Sequence, residues 1–407
     1  MKYRVLVGLL VLLGLGVCVS CGGSGTTTTT DPGVTGTGTV FVVTQGDNLI
    51  SPFLLDRAAG KMTTNGKGVA TGSLPSAIIG TPTGDAIFVA NTNSNDISRY
   101  TIKTDGTLTA VTPNVAVGAT NPIAMAMDAA GKFLFVLNQG AAGAIEAGSV
   151  SVFSIGSNAG LTAVGTNGKL NSASALAVTP DGKFLYVTDS QFSTIHTFSI
   201  DANGAMTQIT PPSTIASDGH PGGFPIDHGT TPMGLLTTPD DAKNPSANPI
   251  FLYVATVGTG QISVYEICDK PSLTCSNAGA DPGDLLELSN SPFTAGGEPG
   301  SMVMVNPTVT TPPAGTFLYA ADKKLNRVLQ YSVSPVTGSL TALSPPAVSA
   351  GSTPVWVGAS RTGQYVLTAN NGSQSVSIYV IHDPQTGILG NAPVAATGNN
   401  PSAVWVQ

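Results

Sequence analysis

Charge is scarce in this chain. Only 10% of its 407 residues are Asp, Glu, Lys or Arg, and after the first few positions the basic residues never cluster. With a formal net charge of −7, nothing in it offers the positive footprint that a nucleic acid requires, and no nucleic-acid partner is expected. Histidine and cysteine are equally thin, at four residues each. Zinc at Cys268 and Cys275 would need two further ligands close by, and no histidine adjoins them. The turns around Asp31, Asp181 and Asp281 lack the flanking carboxylates of a calcium loop. Nucleophile elbows, H-E-x-x-H helices and phosphate-binding glycine loops are also missing, so neither metal nor cofactor is expected. Beyond the N-terminal stretch, no apolar run approaches the length of a membrane-spanning helix.

What the chain does contain is 41% hydrophobic residues and 49 glycines, a mixture suited to short strands and tight turns. The expected class is all-β. At the N-terminus, Lys2 and Arg4 precede an apolar segment over 5–17, then Cys18-Val19-Ser20-Cys21 and a Gly/Ser/Thr-rich stretch. That pattern reads as a targeting segment over 1–21, resembling a bacterial lipoprotein signal in which Cys21 is lipidated. Cys18 as the acceptor, or ordinary secretory cleavage near Ser20, are the alternatives. Residues 22–38 read as a flexible tether. A lipid on Cys21 would place the protein in the cell envelope, facing the periplasm or the surface, with the membrane as its first partner. In an exported, oxidising setting, Cys268 and Cys275 read as a disulfide.

Residues 179–209, TPDGKFLYVTDSQFSTIHTFSIDANGAMTQI, contain one complete repeat: a turn, a short apolar strand, a polar loop, an alternating strand, a glycine turn and a weak outer strand. Each unit is preceded by a nearly uncharged strand, beginning at Pro75, Pro122, Ala173, Pro232, Pro299, Pro354 and Pro401. Such strands suit burial on both faces, and the upstream glycines suit a sharp bend into them. Second strands (AIFVAN, FLFVLN, FLYVTD, FLYVAT, FLYAAD, YVLTAN) and third strands with a recurrent aromatic (Tyr100, Phe153, Phe198, Tyr265, Tyr331, Tyr379) follow. Four strands per unit and seven units predict a seven-bladed β-propeller over 39–407. The N-terminal segments TVFVVT, NLISPFLL and KMTTNG lack a first strand, and the C-terminal PSAVWVQ is a first strand with nothing after it. Pairing them closes the ring and removes two open edges.

TPDGKFLYVTDSQFSTIHTFSID, FLYVATVGTGQISVYEI and FLYAADKKLNRVLQYSV resemble the repeats of the lactonase-type seven-bladed propellers, a family that includes 6-phosphogluconolactonase, and of related YVTN surface propellers. The resemblance implies either of two roles: a tethered binding or interaction module, taking a small molecule or a protein or glycan at the channel mouth, or a hydrolase of a sugar-acid lactone. A monomer is expected.

In a propeller, the loops entering first strands and those between second and third strands share one face around the channel. The longest such connection, 217–231, carries His220, Asp227 and His228. Glu298 precedes Pro299, Asp322, Lys323 and Arg327 stand in the next blade, and Asp189 ends an earlier second strand. Lactone hydrolysis needs a base to activate water and a cation or donor for the oxyanion. His228 or His220 suits the base, Glu298 its partner, and Arg327 or Lys323 the oxyanion or phosphate contact, with Asp189, Asp227 and Asp322 as further ligand contacts. His196, inside an alternating strand, and His382, just after one, read as structural or surface residues.

Overall fold

A computed structural model describes residues 37–141, 144, 146–209, 224–226, 230–238, 249–269, 275, 280–307, 315–391 and 394–407. Thirty-two strands among these residues form seven separate antiparallel sheets, each of four strands or of four with a short fifth piece. The sheets are the blades of a propeller. Blade 1 combines Thr37–Thr44, Leu49–Asp56 and Lys61–Thr64 with the C-terminal Pro401–Val406 as its innermost strand. Blades 2 to 7 follow in chain order, with inner strands Pro75–Gly80, Pro122–Met127, Ala173–Val178, Pro232–Thr237, Pro299–Val305 and Pro354–Ala359. The ring is sealed as the surplus and missing strands foretold: Val40, Phe41, Val42 and Val43 pair with Val406, Trp405, Val404 and Ala403.

The FLYV motif of the second strands is explained by the neighbouring blade. Phe184, Phe251 and Phe317 lie against the outer-turn glycines Gly283, Gly338 and Gly387 of the next blade, so close that a Cβ there would meet the ring at 2.3–2.7 Å. Two residues further on, Tyr186, Tyr253 and Tyr319 donate their hydroxyls to the carbonyls of those same glycines. One motif therefore supplies both apolar contact and a satisfied polar tip to each blade junction. Fully burying such side chains stabilises by roughly 1.5–3 kcal/mol apiece. The third-strand aromatics face the other way. Tyr100 and Tyr379 donate to Ala70 and Ser349 in the preceding blades, and Tyr100 is pushed up to about 12 by burial.

Glycines upstream of the inner strands take the expected left-handed backbone at Gly118, Gly296 and Gly297. In five blades the residue immediately before proline is left-handed as well, namely Leu74, Asn121, Thr231, Thr353 and Asn400. Gly72 and Gly351 are needed for closeness instead: a Cβ on either would lie within 2.7 Å of the Asn91 or Asn370 side chain beneath it. The stretch 217–231 also differs from a plain connection. Phe224–Pro225 pairs with Thr194 and Ile195 as a second piece of the outer strand of blade 4, held by the burial of Phe224 and Ile226.

Candidate functional site

Every second strand ends in a buried polar residue: Thr44, Asn91, Asn138, Asp189, Thr256, Asp322 and Asn370, all no more than 1% exposed. Where it is an aspartate, at Asp189 and Asp322, this position ties together the two loops on the mouth face. In blades 2, 3 and 7 an asparagine bonds a third-strand serine at 2.9 Å, through Asn91–Ser98, Asn138–Ser151 and Asn370–Ser377. Blade 4 places Asp189 there, with His196 at the serine position and a separation of 4.0 Å. The Asp189 carboxylate accepts from the backbone amides of Asn171, Ser172, Gln191 and Phe192. In blade 6, Asp322 accepts from the amides of Glu298 and Leu325 and from Arg327 Nε at 2.8 Å. The Arg327 guanidinium goes on to the carbonyls of Ala295 and Gly296.

The structure thus gathers Glu298, Asp322, Lys323 and Arg327 at the mouth end of blade 6. Asp322 and Arg327 are engaged with each other and with loop backbone. Glu298 sits between them and the inner strand, and its carbonyl receives the Lys323 amide at 3.3 Å. Lys323 itself is exposed. Asp189 stands two blades away at the matching place. His220, Asp227 and His228 lie outside the described residues, as does Cys21. Cys268 and Cys275 are joined in a buried disulfide.

A cavity of about 340 Å³ occupies the ring axis. Its wall follows from a bulge repeated in every inner strand, where the residue after the first position is skipped by the ladder. Bulges re-aim side chains, and here they deliver Ser76, Ile123, Ser174, Met233, Val355 and Ser402 to the axis. Three of these serines are also rungs between blades: Ser76, Ser174 and Ser402 donate to the carbonyls of Pro122, Pro232 and Pro75. Gln45 and Asn371, each next in sequence to a buried second-strand terminus, complete the wall on the mouth side. Lys323 holds the corresponding place in blade 6. No charged side chain is among the described residues that line the cavity.

The sequence profile described as Lactonase, 7-bladed beta-propeller matches residues 34–125, 161–231 and 298–406, well over half the chain. The chain belongs to this lactonase propeller family. Solved structures of similar shape span nearly the whole ring. One from Bacteroides fragilis, provisionally named a 6-phosphogluconolactonase, has 20% identity and a TM-score of 0.69, covering 94% of this chain and 100% of its own. The periplasmic gluconolactonase of Pseudomonas aeruginosa also has 20% identity and a TM-score of 0.69, covering 91% and 99%. A protein from Lactobacillus plantarum has 16% identity and a TM-score of 0.67, covering 91% and 100%. At these identities the likeness speaks for the fold alone. The profile skips 126–160 and 232–297, the second of which includes the disulfide and every strand of blade 5.

Two site features escaped the sequence reading. The buried polar terminus is visible as a column of Thr, Asn or Asp closing each second strand, but its role needs the loops above it. The wall residues follow the inner-strand prolines, where the bulge cannot be read from residue types alone.

Proposed function

We propose that this lactonase-family propeller hydrolyses a sugar-acid lactone at the mouth of its axial channel, and that it does so outside the cytoplasm, anchored through Cys21. The observation that carries the reading is the axial cavity, whose wall reaches Gln45 and Asn371 on the same face where blade 6 presents Glu298 and the exposed Lys323. A cavity of this size suits a single sugar ring. Hydrolysis adds water to the ester carbonyl and breaks the ring C–O bond, with the proton passing from water to the ring oxygen. Among the described residues at the mouth of blade 6, Lys323 is the candidate cation for the oxyanion, since Arg327 is already bonded to Asp322 and two carbonyls. His228 is the base put to the test: the chain that carries it runs directly into Pro232–Thr237, whose Met233 lines the cavity.

The experiment is alkali uptake at constant pH by the purified protein with D-glucono-1,5-lactone, against wild type, Lys323→Ala and His228→Ala. Turnover above spontaneous opening, reduced at least about tenfold in both variants, supports the reading. A rate equal to that of buffer alone overturns the hydrolase and leaves a binding module, the role favoured by the engagement of Asp189 and Asp322 in loop contacts. For the anchor, Cys21→Ala moving the protein from the membrane to the soluble fraction is the expected result.

A further inference from the structure

The third residue of the inner strand is small in six blades: Ala77, Ala124, Ala175, Gly234, Ser301 and Ala403. Blade 7 places Trp356 there. Its indole Nε1 donates to the Val404 carbonyl of blade 1 at 3.1 Å, which fixes the ring, while the side chain remains only partly buried and lines the axial cavity. The ring packs against the cores on either side of blade 1, at a place where the six other blades carry a methyl, a hydroxymethyl or nothing, and its remaining surface is turned to the axis. The two amides of the wall are confined to this sector. Gln45 from blade 1 and Asn371 from blade 7 reach the same wall, and Ser402 stands on the inner strand between them. Among the described residues the Gln45 side-chain amide has no hydrogen-bond partner, although it is half-buried. An aromatic face, two primary amides and a hydroxyl, without a charge, match one kind of ligand: a neutral polyhydroxylated ring. Its C–H face lies on an indole, and its hydroxyls both donate to and accept from amides, which offer both functions.

We infer that Trp356, Gln45 and Asn371 form the ring-binding subsite of the channel, and that the substrate is an uncharged aldonolactone and not a phosphorylated one. The inference rests on the hydrolase reading for the word substrate, but not for the binding itself. The only cationic group at the corresponding mouth position among the described residues is Lys323, one blade away and outside the lining. A phosphate on the ring would therefore face neutral groups along the described wall, losing hydration there, with Lys323 already assigned to the oxyanion.

The chain has two tryptophans, which makes the subsite directly observable. Trp405 is stacked on Phe41 at 5.8 Å, away from the cavity wall, so a Trp405→Phe protein reports on Trp356 alone. Titrating it with D-glucono-1,5-lactone, D-gluconate and 6-phospho-D-gluconate is expected to change the emission with the lactone, and to require at least about tenfold more of the phosphorylated acid than of gluconate. In hydrolysis assays on the otherwise native chain, Trp356→Phe and Gln45→Ala are each expected to raise KM about three- to tenfold with kcat held within about twofold. Gln45→Ala removes no bond seen in the fold, so it remains informative if the tryptophan variant folds poorly. Emission unchanged by saturating lactone, or KM unchanged in Gln45→Ala, overturns the subsite. Tighter binding of 6-phosphogluconate than of gluconate overturns the neutral-substrate assignment. An emission change without turnover removes the hydrolase reading and leaves the sugar subsite standing.

Discussion

Asp322 offers the sharpest division between architecture and chemistry. Its carboxylate is fully buried and holds the amides of Glu298 and Leu325 and the Nε of Arg327. Asp322→Ala orphans two amides at roughly 1–3 kcal/mol each. It also breaks an ion pair whose loss would cost about 3–5 kcal/mol were both partners buried. The guanidinium is 28% exposed and keeps two carbonyl partners, so the pair contributes well below that range. Because these losses share one site they do not add, and the expected total is about 3–4 kcal/mol. Asp322→Asn keeps the shape and one oxygen but turns an NH₂ toward Arg327, for about 1–2 kcal/mol. Urea denaturation measures the loss, and hydrogen exchange at Glu298 and Leu325 localises it to the mouth of blade 6. Asp322→Ala within about 0.5 kcal/mol of wild type would refute the structural account. Lost lactone turnover at unchanged stability would go further and put this carboxylate in the chemistry.

Three other perturbations test the ring itself. Tyr253→Phe removes only the hydroxyl bound to Gly338 and should cost about 1 kcal/mol, whereas Gly338→Ala should cost more than about 2 kcal/mol. The alanine is worse because Gly338 has φ 67° and its Cβ would lie 2.5 Å from the Phe251 ring; thermal denaturation ranks the two. Asp85 is held below the ordinary carboxylate range by hydrogen bonds from Thr81 and then Thr83. A depressed folded-state pKa contributes stability above the unfolded value near ~3.9 and loses it as pH falls through the folded value. Thr81→Val should therefore lower stability at pH 7, and the gap between the two proteins attributable to Asp85 should close below that folded value in denaturant titrations at stepped pH. The Cys268–Cys275 bridge closes a loop with a sequence separation of 7, so replacing both cysteines with serine should cost about 2–3 kcal/mol. Reduced wild type should show the same deficit by urea denaturation.

The ring was legible because its grammar is repeated. Pro-initiated inner strands, FLYV second strands and glycine turns recur often enough that drift in one blade is corrected by the others, and the unmatched ends could belong only together. What repetition concealed was the reason for each residue. Glycine before an inner strand suggests backbone freedom, yet at Gly72 and Gly351 the requirement is space above an asparagine. Phe and Tyr in FLYV suggest β-propensity, yet their partners are turn glycines of another blade, about 70 to 100 residues along the chain. Contacts of that separation leave a column in the sequence without naming what the column touches.

The site was harder because function breaks the repeat, and a break is seen only after the columns are aligned. The titratable groups Asp189 and Asp322 are charged versions of a position occupied elsewhere by Asn or Thr, and Arg327 opens the third strand opposite Asp322. Their carboxylates and guanidinium answer to loop amides and carbonyls, so charge alone was a poor guide to the cavity. Trp356 is the opposite case: it carries no charge and stood inside a strand read as packing, yet it is the only large residue in a column of Ala, Gly and Ser. In a closed ring of near-equivalent blades, a residue larger than its six counterparts must displace something or fill something. Here the axis has the volume to receive it, and beside it stand Gln45 and Asn371, the second of which also donates to the Pro401 carbonyl of blade 1. On the inference of a Trp356 subsite, departure from the column weighted by exposure to the axis is the guide to binding in this propeller, and the Trp356 emission titration is what decides it.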